Sequence, residues 1–197
     1  AYYPSMAIRG SRLYFTYLVT PSYTHYLATL DLGTMQWVPA KVVREGQVET
    51  KPKTAWTYTI LAPDHDGLHL VASNCPDGGE GNTYNQLWCV FYPDDPSSAP
   101  YEELVAESPV GHLAYGLDMT VDTEGIVHIV YLWNQRVYGP ALPEDAAPAG
   151  TYHAWRNPGS GKWERDCLGP PMQAGLFPGP SGLLAICLLY TSDAADE

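Results

Sequence analysis

Four glycines set the frame of this chain. Gly10, Gly67, Gly125 and Gly182 recur at intervals of 57, 58 and 57 residues. Each opens a short apolar or alternating run: GSRLYFTY, GLHLVAS, GIVHIVYL and GLLAI. Turn formers precede three of them: Pro63-Asp64-His65-Asp66, Asp122-Thr123-Glu124 and Pro178-Gly179-Pro180-Ser181. A further apolar segment stands before each turn, at 6–8, 57–62, 117–121 and 174–177. Apolar run, glycine-ended turn, then β-branched and aromatic alternation is the pattern of a tight β-hairpin. Glycine is expected at the turn because hairpin turns take positive φ.

A second hairpin follows in each unit. It is HYLATLDLGTMQWV in the first, NQLWCVFYP with YEELVAE in the second, and TYHAWRNP with KWERDCL in the third. Trp37, Tyr101 and Trp163 take matching places at the start of the fourth strand. Helical propensity is confined to the short run 102–107. Four strands per repeat at this period indicate a β-propeller blade. A β-sandwich, the other all-β arrangement, has no reason to keep a fixed period. The expected fold is all-β, a partial β-propeller forming an open arc of about three and a half four-stranded blades. The blades are placed at 5–38, 57–107 and 117–168, with a half-blade at 173–186.

The last eleven residues, CLLYTSDAADE at 187–197, resemble the translation of a transposase adapter used in shotgun sequencing libraries, and are expected to be non-native. The chain is accordingly expected to be an internal piece of a longer, metagenomic reading frame. Without that tail the 22 acidic residues fall to 19 and the formal charge moves from −12 to −9. With only 10 Lys and Arg, the chain lacks the basic footprint that nucleic-acid binding needs. No apolar run approaches the length of a membrane span.

The passages DMTVDTEGIVHIVYLW, TYHAWRNPGSGKW, AIRGSRLYFTYL and HYLATLDLGTMQW resemble blades of the sialidase-like, BNR-repeat propeller superfamily. Thr29-Leu30-Asp31-Leu32-Gly33 opens as an Asp-box does, although Trp37 falls one position late, and Asn157 to Trp163 is a looser match. The resemblance covers nearly all of residues 5 to 186. It implies a carbohydrate-related, extracellular or periplasmic protein, since the superfamily includes sialidases, polysaccharide lyases and binding propellers. None of the six arginines stands in an Arg-Ile-Pro context, so sialidase activity itself is not expected.

Antiparallel blades put the first-to-second and third-to-fourth turns on one face and the other connections on the opposite face. The first set is short. The second is long, at 39–55, 74–84, 108–116 and 133–150. Long loops on a rigid scaffold are where binding residues concentrate. Trp56, Tyr84, Tyr115, Trp133 and Tyr138 offer flat apolar faces there, while Asn82, Asn134, Gln135, Arg136, Asp77, Glu80 and His112 offer hydrogen bonds. These residues suit a glycan or polysaccharide. His112 with Asp118 is the candidate acid/base pair, and Arg136 with Tyr138 is the candidate clamp for developing charge. His69 and His128, at equivalent points on second strands, are read as packing residues.

No metal or cofactor is expected. Asp64-His65-Asp66-Gly67 starts like a calcium loop, but Cys75 stands where the twelfth-position acid is needed. The glycine-rich run 76–82 lacks the ending of a phosphate loop. In a regular hairpin Cys89 should oppose a residue near Val71, which puts it out of disulfide reach of Cys75. Two functions are carried forward: glycan recognition on the long-loop face, as part of a glycoside hydrolase or polysaccharide lyase, and a non-enzymatic propeller scaffold that binds protein.

Overall fold

The structure is a computed structural model that describes residues 2–20, 22–46, 56–74, 84–94, 98–178 and 184–189; for residues 2, 3, 177, 178 and 184–189 only the backbone is considered. Its described residues hold fourteen strands and no helix. The first sheet is β1 (Tyr2–Arg9), β2 (Arg12–Val19), β3 (Thr24–Asp31) and β4 (Gln36–Arg44). The second is β5 (Trp56–Pro63), β6 (Gly67–Asn74), β7 (Gln86–Pro93) and β8 (Tyr101–Glu107). The third is β9 (His112–Val121), β10 (Val127–Arg136), β11 (Gly150–Arg156) and β12 (Trp163–Gly169), followed by the hairpin β13 (Gln173–Pro178) and β14 (Leu184–Leu189). Within each sheet the strands pair antiparallel in sequence order.

The innermost strands of successive sheets lie against one another, β1 on β5, β5 on β9 and β9 on β13. This is an arc of propeller blades. Two side-chain clasps repeat along it. Ser5 Oγ accepts the Leu61 amide at 3.0 Å, and Asp118 Oδ2 accepts the Leu176 amide at 2.8 Å. Both join one inner strand to the next.

Burial follows position in the stack. In β2, Tyr14 and Leu18 turn toward the second blade and alternate with half-buried residues. All of β6 is buried, because the middle blade is covered on both faces. One apolar cluster joins blades 1 and 2 around Tyr14, Leu68, Leu70 and Val90. A second joins blades 2 and 3 around Val71, Leu87, Val105, Ile129 and Tyr131.

Several expectations need correction. Gly10 and Gly125 have positive φ, +56° and +80°, but Gly67 does not. A Cβ at Gly67 would lie 2.4 Å from the Tyr92 carbonyl and 2.5 Å from the Phe91 ring, so close packing is the reason for that glycine. The fourth strand of blade 1 runs on to Arg44, and the third blade begins at His112 rather than 117. The run 102–107 lies in β8, the strand that the hairpin reading gave it, its pairing with β7 prevailing over helical propensity. Cys89 stands opposite Val71, the expected register, and is free and buried; Cys75 lies outside the described residues. Of the expected tail, Cys187 to Leu189 pair with β13.

His69 and His128 do more than pack. Each Nε2 meets the first aspartate of its own hairpin turn, Asp64 at 3.0 Å and Asp122 at 3.2 Å. Burial pulls the Asp122 carboxyl upward, yet the Ile126 and Glu124 amides and His128 hold it below the ordinary carboxylate range.

The blades are also joined by charge. Arg156 of blade 3 donates from Nε and Nη2 to the two oxygens of Glu103 of blade 2, each at 2.8 Å, and the Trp163 indole donates to Glu103 at 3.1 Å. We expect Glu103→Gln to cost about 1–3 kcal/mol, because three donors lose a charged acceptor. Urea denaturation against the more exposed Glu102→Gln, whose Arg44 pair should contribute under about 1 kcal/mol, is the check. Equal losses would contradict the expectation.

Candidate functional site

Three long connections, β4 to β5, β6 to β7 and β10 to β11, leave from one end of the strands; the fourth expected there, 108–116, is only 108–111, because β9 begins at His112, and is shorter than the β7–β8 turn at the other end. Two irregularities mark the long-loop end in blades 2 and 3. The β5–β6 register shifts between Thr57 and Ile60, and Tyr58 has φ +51°. The β9–β10 register shifts between Trp133 and Gln135, and Asn134 has φ +59°. Bulges re-aim side chains, and left-handed non-glycine residues cost about 1–3 kcal/mol each.

The re-aimed Tyr58 meets two other tyrosines. Its ring centroid lies 5.1 Å from Tyr84 and 4.7 Å from Tyr115, both edge-to-face. The Tyr84 carbonyl accepts the Ala114 amide at 2.8 Å, which fixes this segment beside β9. A polar web adjoins the aromatic group. The Ser108 amide donates to the Asn85 carbonyl at 2.7 Å, and Asn85 Nδ2 returns a bond to the Ser108 carbonyl at 3.1 Å. Ser108 Oγ donates to the Leu113 carbonyl at 2.7 Å and accepts the Asn134 amide at 3.3 Å. Tyr138 is folded back onto Gly111, next to His112: its amide donates to the Gly111 carbonyl at 3.1 Å.

Buried polar atoms at this end, within the web and beside it, are left unsatisfied. Asn74 Oδ1, Asn85 Oδ1, Asn134 Oδ1, both ring nitrogens of His112, and Trp56 Nε1 are buried and have no hydrogen-bond partner. Apart from the Tyr131 hydroxyl, they make up every such side-chain atom among the described residues. Each unsatisfied group costs about 1–3 kcal/mol, so their collection at one end needs a reason. Asn85, Asn134 and His112 belong to the blade 2–3 web, where a polar ligand or ordered water with donors for two amide oxygens would supply it; Asn74 and Trp56 lie on the blade 1 side of the second sheet, in line with Leu68, Leu70 and Ala72.

The sequence candidates divide accordingly. Tyr84, Tyr115, Asn134 and His112 come together here. Gln135 is half-buried at the bulge, Tyr138 is half-buried and Arg136 is exposed opposite His112. Asn82, Asp77 and Glu80 lie outside the described residues.

Trp56 has to be withdrawn as a stacking platform. It is 1% exposed, packed in the blade 1–2 core with the Arg44 guanidinium 4.1 Å from its ring. Trp133 is likewise engaged: Arg165 lies over it at 4.7 Å, Tyr152 meets it edge-on at 5.0 Å, and its indole donates to the Glu107 carbonyl. His112 and Asp118 do not form a pair. They stand six residues apart on β9, opposite Arg136 and Val130, or about 20 Å along the strand. Asp118 instead serves as the clasp to β13.

Sequence reasoning missed Tyr58, Asn74 and Asn85. The two asparagines bracket the connection between β6 and β7, a position that was visible. Tyr58 gave no signal, since its bulge exists only through its fit to β6 and β9. Among the described residues no three His, Cys, Asp or Glu side chains are placed to hold a metal ion. Among the described residues no helix is long and apolar enough to cross a membrane.

No family model matches the chain, and no curated protein matches it. Among solved structures it is similar to the GH43 endo-arabinanase from Bacillus licheniformis, with 11% identity, a TM-score of 0.44, and coverage of 98% of this chain and 94% of that one. At that identity and score the likeness carries nothing about site or activity.

Proposed function

We propose that the long-loop end of blades 2 and 3 is a saccharide-binding surface. The carrying observation is the Tyr58, Tyr84 and Tyr115 group set beside buried asparagine and histidine atoms that lack partners. Sugar rings offer both halves of the complement. Their C–H faces pack on aromatic rings, and their hydroxyls donate to amide oxygens and accept from or donate to imidazole. In this reading the chain belongs to an extracytoplasmic propeller of the sialidase-like, BNR-repeat group, as part of a glycoside hydrolase or polysaccharide lyase. The Asp31 turn supports that grouping: its carboxylate accepts the Gly33 and Thr34 amides, each at 2.9 Å, as an Asp-box aspartate would.

The purified chain on a glycan array, followed by titration with the strongest oligosaccharide, tests the reading. Tyr115→Ala should weaken that oligosaccharide tenfold or more, whereas Trp133→Ala should act mainly on stability. Reducing-end release from the same oligosaccharide separates hydrolysis from binding. A silent array, or full affinity in Tyr115→Ala, would overturn it.

The protein-binding scaffold is favoured by a different observation. The outer face of blade 1 carries Met6, Ile8, Trp37 and Val42 at 64, 62, 58 and 50% exposure, on rows shared with Leu13, Phe15 and Tyr17. A patch of this kind marks an interaction surface. A silent array, together with self-association relieved by Trp37→Lys, would support that reading instead.

A further inference from the structure

The blades repeat closely enough for their interfaces to be compared position by position. Along one row of each sheet stand Thr16, Leu27 and Lys41 in blade 1, Val71, Cys89 and Glu103 in blade 2, and Val130, His153 and Asp166 in blade 3. Lys41 therefore occupies the place of Glu103. On the facing side, the pair Arg156 and Trp163 of blade 3 corresponds by register to Tyr92 and Pro100 of blade 2; Tyr101, expected from the sequence to match Trp163, instead matches Glu164, because Phe91 with Tyr101 is the equivalent of Trp155 with Glu164.

The consequence is a difference in filling. Between blades 2 and 3, Arg156 and Trp163 reach Glu103 and close the junction. Between blades 1 and 2, Pro100 is too small to do what Trp163 does, and Lys41 has the wrong sign to draw in a cation. A groove of about 400 Å³ is left, lined by Arg12, Tyr14, Leu27, Lys41, Tyr92 and Pro100 among others. That volume suits a small ligand.

The acids near it are already engaged. Asp94, which also lines the groove, takes both its oxygens to Arg9. Glu102 is paired with Arg44, and Asp31 caps its own turn through the Gly33 and Thr34 amides, with Arg12 across the strand from it. Among the described residues neither Lys41 nor Arg12 makes an ion pair or hydrogen bond from its side chain, although Arg12 acts electrostatically on Asp31 and, after the Thr34 amide, helps to lower its carboxyl pKa. Lys41 thus stands where the next interface holds a carboxylate, and Arg12, four residues along β2 from Thr16, borders the same partly apolar groove.

We propose that this inter-blade groove binds a small ring-bearing carboxylate, its carboxylate held by Lys41 and Arg12 and its ring lying against Tyr14, Leu27 and Tyr92. Charge-assisted hydrogen bonds supply the recognition and the apolar walls supply the shape. The site is separate from the long-loop end and does not depend on the saccharide reading.

The test is calorimetric titration of the purified chain with 4-hydroxybenzoate, with galacturonate, and with the methyl ester of each. Saturable binding of at least one acid, at least tenfold tighter than its ester, is expected, and the acid that binds shows whether the ring is aromatic or a sugar. Lys41→Glu should lower that affinity tenfold or more, Lys41→Arg should retain it, and Pro100→Trp should abolish it by filling the groove. Tyr115→Ala should leave it unchanged. No saturation with either acid, esters that bind as well as the acids, or full affinity in both Lys41→Glu and Pro100→Trp would overturn the proposal.

Discussion

Gly67→Ala should be among the most damaging single-methyl changes in the chain, with a loss of about 3 kcal/mol or more in urea denaturation. The new Cβ would sit 2.4 Å from the Tyr92 carbonyl and 2.5 to 2.6 Å from the Phe91 ring. Forced overpacking of this kind typically costs about 1–3 kcal/mol, and occasionally more. Backbone is one of the colliding partners here, so simple rotation of a side chain cannot relieve it. Gly10→Ala makes the informative comparison. Gly10 holds the same place in its hairpin, but its φ is +56° and nothing lies within 4 Å of the new methyl. Only the left-handed conformation is penalised there, at about 1–2 kcal/mol. Equal losses at the two positions would mean that Gly67 serves the turn and not the packing.

The second large effect is on acid stability. His25 is 1% exposed, between blades 1 and 2. Its Nδ1 faces the Trp56 carbonyl at 3.4 Å, and its Nε2 faces Thr59 Oγ1 at 3.3 Å. With Nδ1 donating and Nε2 accepting, the neutral ring satisfies both contacts. Burial lowers its pKa from 6.5 to about 4, opposed in part by the Trp56 carbonyl. The unfolded chain therefore takes up this proton first as pH falls. Stability from His25 is fully present above about pH 6.5 and drains away toward pH 4, for a total of about 3 kcal/mol. His153 is also lowered to about 4, by burial and then by His128, and His69 is lowered by burial. Both act in the same direction. Urea midpoints should fall steadily from pH 7.5 to pH 4.5, and His25→Gln should flatten the slope while lowering stability at pH 7.5. A flat profile for the unaltered chain would contradict this account.

What the sequence could reveal followed from what neighbours along the chain decide. Hairpins are local, so the glycines, turn acids and alternating runs placed the blades and the end where long connections gather. Lys41, Glu103 and Asp166 could be aligned only once the registers were known. The two tryptophans show the limit most clearly. Trp56 and Trp133 read as open platforms because each adjoins a long connection. Arg44 of blade 1 covers Trp56 of blade 2, and Arg165 of β12 covers Trp133 of β10 within blade 3; both contacts join residues far apart in the chain and follow only from the assembled sheets. Tyr58 was invisible for the related reason that its bulge is a response to neighbouring strands. His112 was read both as a hydrogen-bonding residue of the long-loop face and as a partner of Asp118; the pairing fails, and its two unsatisfied nitrogens keep it of interest.

Spin-label distances test the underlying architecture most directly. With the native cysteines replaced, nitroxide labels at Ser11, Asp66 and Glu124 report three successive turns at one end, and a label at Val137 reports the other. Stacked blades predict similar separations for Ser11 to Asp66 and Asp66 to Glu124, with Ser11 to Glu124 the longest of the three. Glu124 to Val137 should span β10, about 30 Å for its ten residues. Neighbouring turns whose separations differ by more than about 10 Å, or a Val137 label as close to Glu124 as two strands of one sheet lie to each other, would contradict it.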